Sequence, residues 1–110
     1  MFIHTVLFKI RKKNLPVYLR DCRIWEREAR RHPGFVACGT LFRTDEKGHY
    51  ASCYAWKSGK DHARFMKKRH DRLVSLSKCP VEVLGYYNFN AKRFRFGVSS
   101  GARVEKAARR

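Results

Sequence analysis

The sequence has few acidic residues and no long apolar segment. Its 110 residues include 9 Asp and Glu against 26 Lys and Arg, which gives a formal net charge of +17. Three of the nine, Asp21, Glu26 and Glu28, lie among arginines in a pattern typical of a solvent-exposed helix face. Catalysis by paired carboxylates therefore has few candidate residues. The apolar runs are shorter than the ~20 residues that cross a bilayer, so we expect no membrane insertion.

Several common site motifs are also absent. The four cysteines at positions 22, 38, 53 and 79 form no C-x-x-C pair, and no secretory leader precedes them. Glycine-rich phosphate loops and nucleophile elbows are missing as well. We therefore expect reduced thiols in a cytoplasmic protein, and the nucleotide-binding and serine-hydrolase classes lack support.

The basic residues that dominate the composition are spread along the chain. Residues 1–90 hold nineteen Lys or Arg and eight Asp or Glu, and residues 91–110 hold seven and one. A surface of this kind attracts anions and predicts non-specific contact with nucleic acid. The length fits one domain. We predict a folded domain over 1–90 and a basic, flexible tail over 91–110.

Apolar periodicity predicts four strands and two helices in the order β-α-β-β-α-β. Asn14 and Pro16 mark the start of the first helix. Ser58 and Asp61 form a capping box that starts the second. The predicted strands cover residues 2–10, 35–44, 49–57 and 81–89, and the predicted helices cover 16–32 and 58–78. This order is that of a ferredoxin-like α+β unit with an antiparallel sheet.

The two middle strands form a hairpin that is apolar on both faces. A turn pairing Asp45 with Gly48 assigns each side chain to a face. One face then carries Val36, Cys38, Thr40, Phe42, Ala51, Cys53 and Ala55, and the other carries Phe35, Ala37, Leu41, Tyr54 and Trp56. Helices can cover only one of them, and a second copy of the sheet is the simplest cover for the other. We therefore predict a homodimer.

On this register two cysteines come close together. Cys38 and Cys53 are diagonal neighbours, near enough for a disulfide or for half of a metal site, with His4 as the one available third ligand. Two thiols do not complete a tetrahedral site, and no His pair at the usual spacing is present. The sequence therefore predicts no metal site.

Together these features resemble the dimeric α+β barrel superfamily, which includes the antibiotic biosynthesis monooxygenases and the small haem-degrading monooxygenases. The resemblance covers about residues 2–89, and a Gly-Phe pair after the first helix adds to it. The residues most similar to a YdbC-like branch of that superfamily are Trp56, Phe65, Met66, His70, Asp71 and the strand VEVLGYY.

The resemblance implies a homodimer with a pocket between sheet and helices in each subunit, suited to a small apolar or aromatic ligand. Haem-degrading members hold iron with a His in the second-helix region, and His70 is its counterpart here. Haem is thus a candidate cofactor, although none is required. The candidate pocket residues are Trp25, Tyr54, Trp56, Phe65, Met66 and Tyr86.

His70 is the candidate catalytic residue, and two roles are open to it. It borders an apolar stripe one turn after Met66 and three residues before Leu73. There it could carry a proton or a ligand, or it could be a packing residue bonded to backbone or water. Asp71 should point away by about 100°, so no His-Asp pair is expected. Trp25 and Trp56 are interpreted first as core residues.

Three functions are compatible with these residues. The first is a monooxygenase acting on an aromatic or quinone-like substrate. The second is a non-enzymatic ligand-binding or stress-response module of the same fold. The third is a basic nucleic-acid-binding protein.

Overall fold

A computed structural model describes residues 1–93, so most of the predicted tail lies outside the described residues. The elements are β1 (Phe2–Lys9), α1 (Leu15–Ala29), β2 (Phe35–Phe42), β3 (His49–Trp56), α2 (Gly59–Leu76) and β4 (Glu82–Asn90). The strands form one antiparallel sheet in the order β2-β3-β1-β4. This confirms the predicted ferredoxin-like fold. Within residues 1–93 neither helix has the length and apolarity to cross a membrane.

The start of α2 matches the sequence prediction, and the start of α1 differs from it. The Ser58 hydroxyl accepts the Asp61 amide at 3.3 Å and donates to the Asp61 carboxylate at 2.9 Å, which confirms the cap of α2. Asn14 makes no side-chain cap, and a 3₁₀ turn leads into α1 instead. The predicted end of α1 is three residues late. Gly34, at a φ of 84°, turns the chain back towards the sheet.

The predicted hairpin register is wrong by one residue. Cys38 lies opposite Tyr54, and Gly39 lies opposite Cys53. Because side chains alternate along a strand, a one-residue shift moves one strand's side chains to the other face. Cys38 and Cys53 therefore lie on opposite faces, which excludes the disulfide and the shared metal site between them. All four cysteines are free thiols.

One face of the sheet packs on the two helices around Trp56. Trp56 has no exposed surface, and its ring lies 5.1 Å from that of Phe65 on α2 and 5.6 Å from that of Phe35 on β2. Ala29 of α1 and Leu73 of α2 complete the buried cluster. A fully buried large apolar side chain contributes roughly 1.5–3 kcal/mol, so these contacts anchor both helices on the sheet.

No described element covers the other face of the sheet. Leu41, Tyr87 and Phe89 on this face are 54%, 48% and 55% exposed. At Gly39 an added Cβ would meet nothing within 4 Å. The face is apolar, as the sequence predicts, although the residues that form it differ from those expected.

The acidic residues of α1 do not form a solvated face, which corrects that expectation. Asp21 is 6% exposed. Glu28 pairs with Arg69 of α2 at 3.1 Å, and Glu26 accepts the Cys38 thiol of β2 at 3.1 Å. Each of these three carboxylates contacts a different part of the fold, so the acids of α1 link that helix to other elements.

Asp21 supports a prediction on stability. One oxygen of its carboxylate accepts the backbone amides of Lys78 and Cys79 at 2.9 and 2.8 Å and so holds the start of β4 against α1. Asp21→Ala leaves both amides unpaired and should cost about 3 kcal/mol of unfolding free energy, measured by chemical denaturation. Asp71→Ala is the control, because Asp71 lies in solvent. Equal losses in the two variants would contradict the assignment.

Candidate functional site

A cavity of about 450 Å³ lies between the helix-covered face of the sheet and the two helices. This volume falls within the range of small-molecule sites. The structure brings all seven residues singled out from the sequence to its lining, which includes Trp25, Tyr54, Trp56, Phe65, Met66, His70 and Tyr86. Tyr86 is 66% exposed. That these residues bind a ligand stays a prediction.

Two tryptophans, one on β3 and one on α1, form part of the cavity wall. Trp56, at the end of β3, is part of the core and of the lining at once. The indole N–H of Trp25 donates to the Ser77 hydroxyl at the end of α2 at 2.8 Å. That bond holds the Trp25 ring between the helices, where it meets the edge of the His70 ring at 6.1 Å. The aromatic wall is therefore held in place by both packing and hydrogen bonding.

His70 occupies the outer part of the lining. Its Nδ1 lies 3.3 Å from the Asp71 carboxylate, so the expectation that the two side chains cannot meet is wrong. Neighbouring residues leave a helix in different directions, but their rotamers let the tips approach each other in solvent. The His70 side chain is 45% exposed and that of Asp71 fully so. Such an exposed contact stabilises little.

A pair of histidines, which the sequence analysis did not predict to be together, also lines the cavity. The rings of His4 on β1 and His62 on α2 are 4.5 Å apart. Nδ1 of His4 is 2.7 Å from the Asn88 side-chain oxygen, directly across the β1-β4 ladder. An amide oxygen only accepts, so this bond assigns the His4 proton to Nδ1 and leaves a lone pair on Nε2. The sequence signal for this site was His4, a polar residue between Phe2 and Val6 on the helix-covered face of β1.

His62 is held neutral by its surroundings. Burial, followed by the nearby His4, lowers the pKa of His62 to about 4. Among the described residues, its Nε2 and the Trp56 indole N–H are the two buried side-chain polar atoms without a hydrogen-bond partner. Native proteins rarely leave such groups unpaired.

Other titratable groups around the cavity are also kept uncharged. The Tyr18 hydroxyl is 2.7 Å from the Ser52 hydroxyl, and burial raises the pKa of Tyr18. Burial, followed by the Asp21 carboxylate, raises the pKa of the Cys79 thiol, which also lines the cavity. Ionisation of the Tyr18 hydroxyl and the Cys79 thiol is therefore disfavoured. Within residues 1–93, no group of three or more His, Cys, Asp and Glu side chains is placed to hold a metal ion.

The chain matches no family model and no curated protein. Solved structures are similar in fold. MupZ from Pseudomonas fluorescens is 10% identical with a TM-score of 0.69, over 96% of this chain and 84% of that one. SnoaB from Streptomyces nogalater, a cofactor-independent oxygenase, is 16% identical with a TM-score of 0.60, over 84% and 94%. A candidate antibiotic biosynthesis monooxygenase from Nitrosomonas europaea is 16% identical with a TM-score of 0.63, over 84% and 100%.

The fold and the cavity define a class of protein. The chain is a ferredoxin-like α+β protein whose helices and sheet enclose an aromatic-lined cavity. It shares the α+β barrel fold of the antibiotic biosynthesis monooxygenase-like proteins. At these identities the likeness shows the fold alone, and the YdbC-like branch stays a prediction.

The lowered pKa of His62 predicts a pH-dependent stability. Between its ordinary pKa of 6.5 and about 4, the unfolded chain binds a proton that the folded protein does not. Stability from this group is therefore fully present above pH 6.5 and is lost as the pH falls towards 4. Denaturation at pH 7 and pH 5 should show a larger loss for the native protein than for His62→Phe. An NMR titration that placed the His62 midpoint near 6.5 would contradict this prediction.

Proposed function

We propose that this protein is a monooxygenase that acts on a phenolic, quinol-like aromatic substrate inside the cavity, with His4 as the proton acceptor. The observation that carries the proposal is the orientation of His4, whose proton is fixed on Nδ1 by Asn88. The free Nε2 belongs to a residue of the cavity lining, among aromatic rings. An apolar ring stacks well on such walls, and its hydroxyl would find a base. The fold shared with SnoaB, a cofactor-independent oxygenase, supports the reaction class.

The chemistry begins with proton transfer. The substrate O–H gives its proton to Nε2 of His4, and the resulting phenolate is a better electron donor to dioxygen than the phenol is. One oxygen atom of dioxygen then enters the ring and the other leaves as water, so that a phenol and dioxygen yield a quinone and water. The proton on His4 returns to the departing oxygen. Because burial lowers the pKa of His62, His62 competes poorly for this proton.

The cavity fits haem poorly. Among residues 1–93, its lining contains no Lys or Arg to pair with the two propionates. His70, the expected iron ligand, lies half exposed with its Nδ1 against Asp71. The proposed reaction therefore has no step on haem, and His70 is assigned to the outer lining of the cavity.

His4→Ala tests the assignment of the base. With naphthols and naphthohydroquinones as probes, it should lower the rate of oxygen consumption at least 100-fold, the range expected for loss of a general base. Ligand binding, followed by tryptophan fluorescence, should change much less. His49→Ala is the control, because His49 lies at the hairpin turn and not in the cavity lining.

The outcomes separate the two cavity functions. Undiminished turnover in His4→Ala would overturn the assignment of the base. Tight binding of naphthols without oxygen consumption by the native protein would favour the non-enzymatic ligand-binding module. That second function is supported by the same aromatic lining and needs no base.

The proposed function includes a homodimer formed through the open face of the sheet. That face exposes Leu41, Tyr87 and Phe89, and contiguous exposed apolar patches mark interaction sites. A second copy of the same face would bury these side chains and leave the cavity, on the opposite side of the sheet, intact.

Sedimentation tests the dimer. At micromolar concentration the native protein should show twice the chain mass of 13.0 kDa. Leu41→Glu should shift it towards the monomer, because a buried unpaired charge opposes association. Leu76→Glu, an equally apolar exposed position on α2, should leave the mass unchanged. A monomeric native protein would exclude this interface.

A further inference from the structure

The outer face of α1 is a stripe of arginines. The core residues Tyr18, Asp21 and Ala29 face inward, and the exposed cations recur at helical spacing on the opposite side. They are Arg20, Arg23 and Arg27 on α1, and Arg30 and Arg31 in the turn that continues from its end. At a rise of about 1.5 Å per residue, the stripe is about 16 Å long. Pro16 is the other exposed residue of α1, so no exposed apolar side chain interrupts it.

A second basic stripe runs along α2, beside the first. Its exposed cations are Lys60, Arg64, Lys67, Lys68 and Arg72. Contacts of Trp25 with Ser77 and of Glu28 with Arg69 show that the two helices are packed antiparallel. Packed helices lie about 8–10 Å apart, so the stripes form two parallel rows of positive charge.

Most of these ten cations have no acidic partner. Arg20, Arg30 and Arg64 pair with carboxylates of their own helices, and within residues 1–93 the other seven make no ion pair. Asp71 is the single fully exposed acid on either helix. The other helix acids have partners: Asp21 binds backbone amides, Glu28 pairs with Arg69, Glu26 accepts the Cys38 thiol, and Asp61 accepts the Ser58 hydroxyl. The two rows therefore carry positive charge that is largely uncompensated, and this charge would attract a polyanion over a long range.

We propose that the two stripes bind the phosphate backbone of double-stranded nucleic acid, independently of base sequence. Phosphates follow one another at about 3.4 Å of rise along each strand, so a row 16 Å long spans about five of them. Arginine forks match phosphate oxygens in pairs. On α1 an anionic membrane fits less well, because membrane-binding helices need large apolar side chains beside the charges, and apart from Pro16 the exposed residues of α1 are arginines. α2 does expose Val74 and Leu76, so vesicle binding is measured as well. The site lies on the outer side of the helices and is separate from the cavity.

The test neutralises part of one stripe in the full chain. Arg23→Gln with Arg27→Gln removes two unpaired arginines while keeping good helix formers in α1. The control, Lys9→Gln with Lys47→Gln, removes the same charge from the end of β1 and the hairpin turn. Affinity for a short fluorescent DNA duplex, and for its RNA counterpart, is measured over a series of salt concentrations.

For the α1 variant, the slope of log affinity against log salt concentration should be smaller in magnitude than that of the native protein by about 2 on the duplexes. The control should keep the native slope. A stronger effect on one duplex would identify DNA or RNA as the preferred partner. Equal losses in both variants, or none in either, would overturn the proposal, as would equal binding to phosphatidylserine vesicles with the same dependence on α1. Naphthol binding should be unaltered in both variants, which separates this surface from the proposed reaction.

Discussion

The packing of one sheet face on two helices through Trp56 is the contact on which the rest of the structure depends. Trp56 ends β3 and has no exposed surface. Its ring contacts Phe65, which sets α2 over the sheet, and α2 begins only two residues after β3 ends. That short connection brings His62, in the first turn of α2, above β1 and next to His4. The core and the site are therefore built from the same residues.

Charge is distributed according to what each side of the helices meets. Inside, the part of the cavity lining formed by residues 1–93 holds no Lys or Arg, and burial disfavours the charged forms of His62 and Tyr18. Outside, unpaired arginines and lysines cover both helices. The scarce carboxylates are used for contacts between elements, such as Asp21 with the backbone before β4. This division lets a strongly basic chain keep an apolar cavity, because the charged side chains stay in water and their desolvation is avoided.

The histidines differ in what their surroundings allow them to do. His70 lies at the outer lining, where solvent screens it and Asp71 is its partner. His4 is oriented by Asn88, and His62 is desolvated with an unpaired ring nitrogen. An oriented lone pair in an apolar cavity is the arrangement that proton transfer requires. Placement in the fold, more than residue type, thus decides which imidazole is suited to chemistry.

The sequence by itself determined the element order and the cap at Ser58, because these follow from local periodicity and from side-chain hydrogen bonding at the helix start. It could not determine the hairpin register, since one residue in the turn reverses the faces of a strand and both faces here are apolar. Nor could it show that Asp21 is buried or that His4 meets Asn88 and His62. Those contacts join residues far apart in the chain, from β1, α2 and β4. Only the tertiary structure brings these residues within hydrogen-bonding and stacking distance, and local sequence patterns do not predict contacts between distant residues.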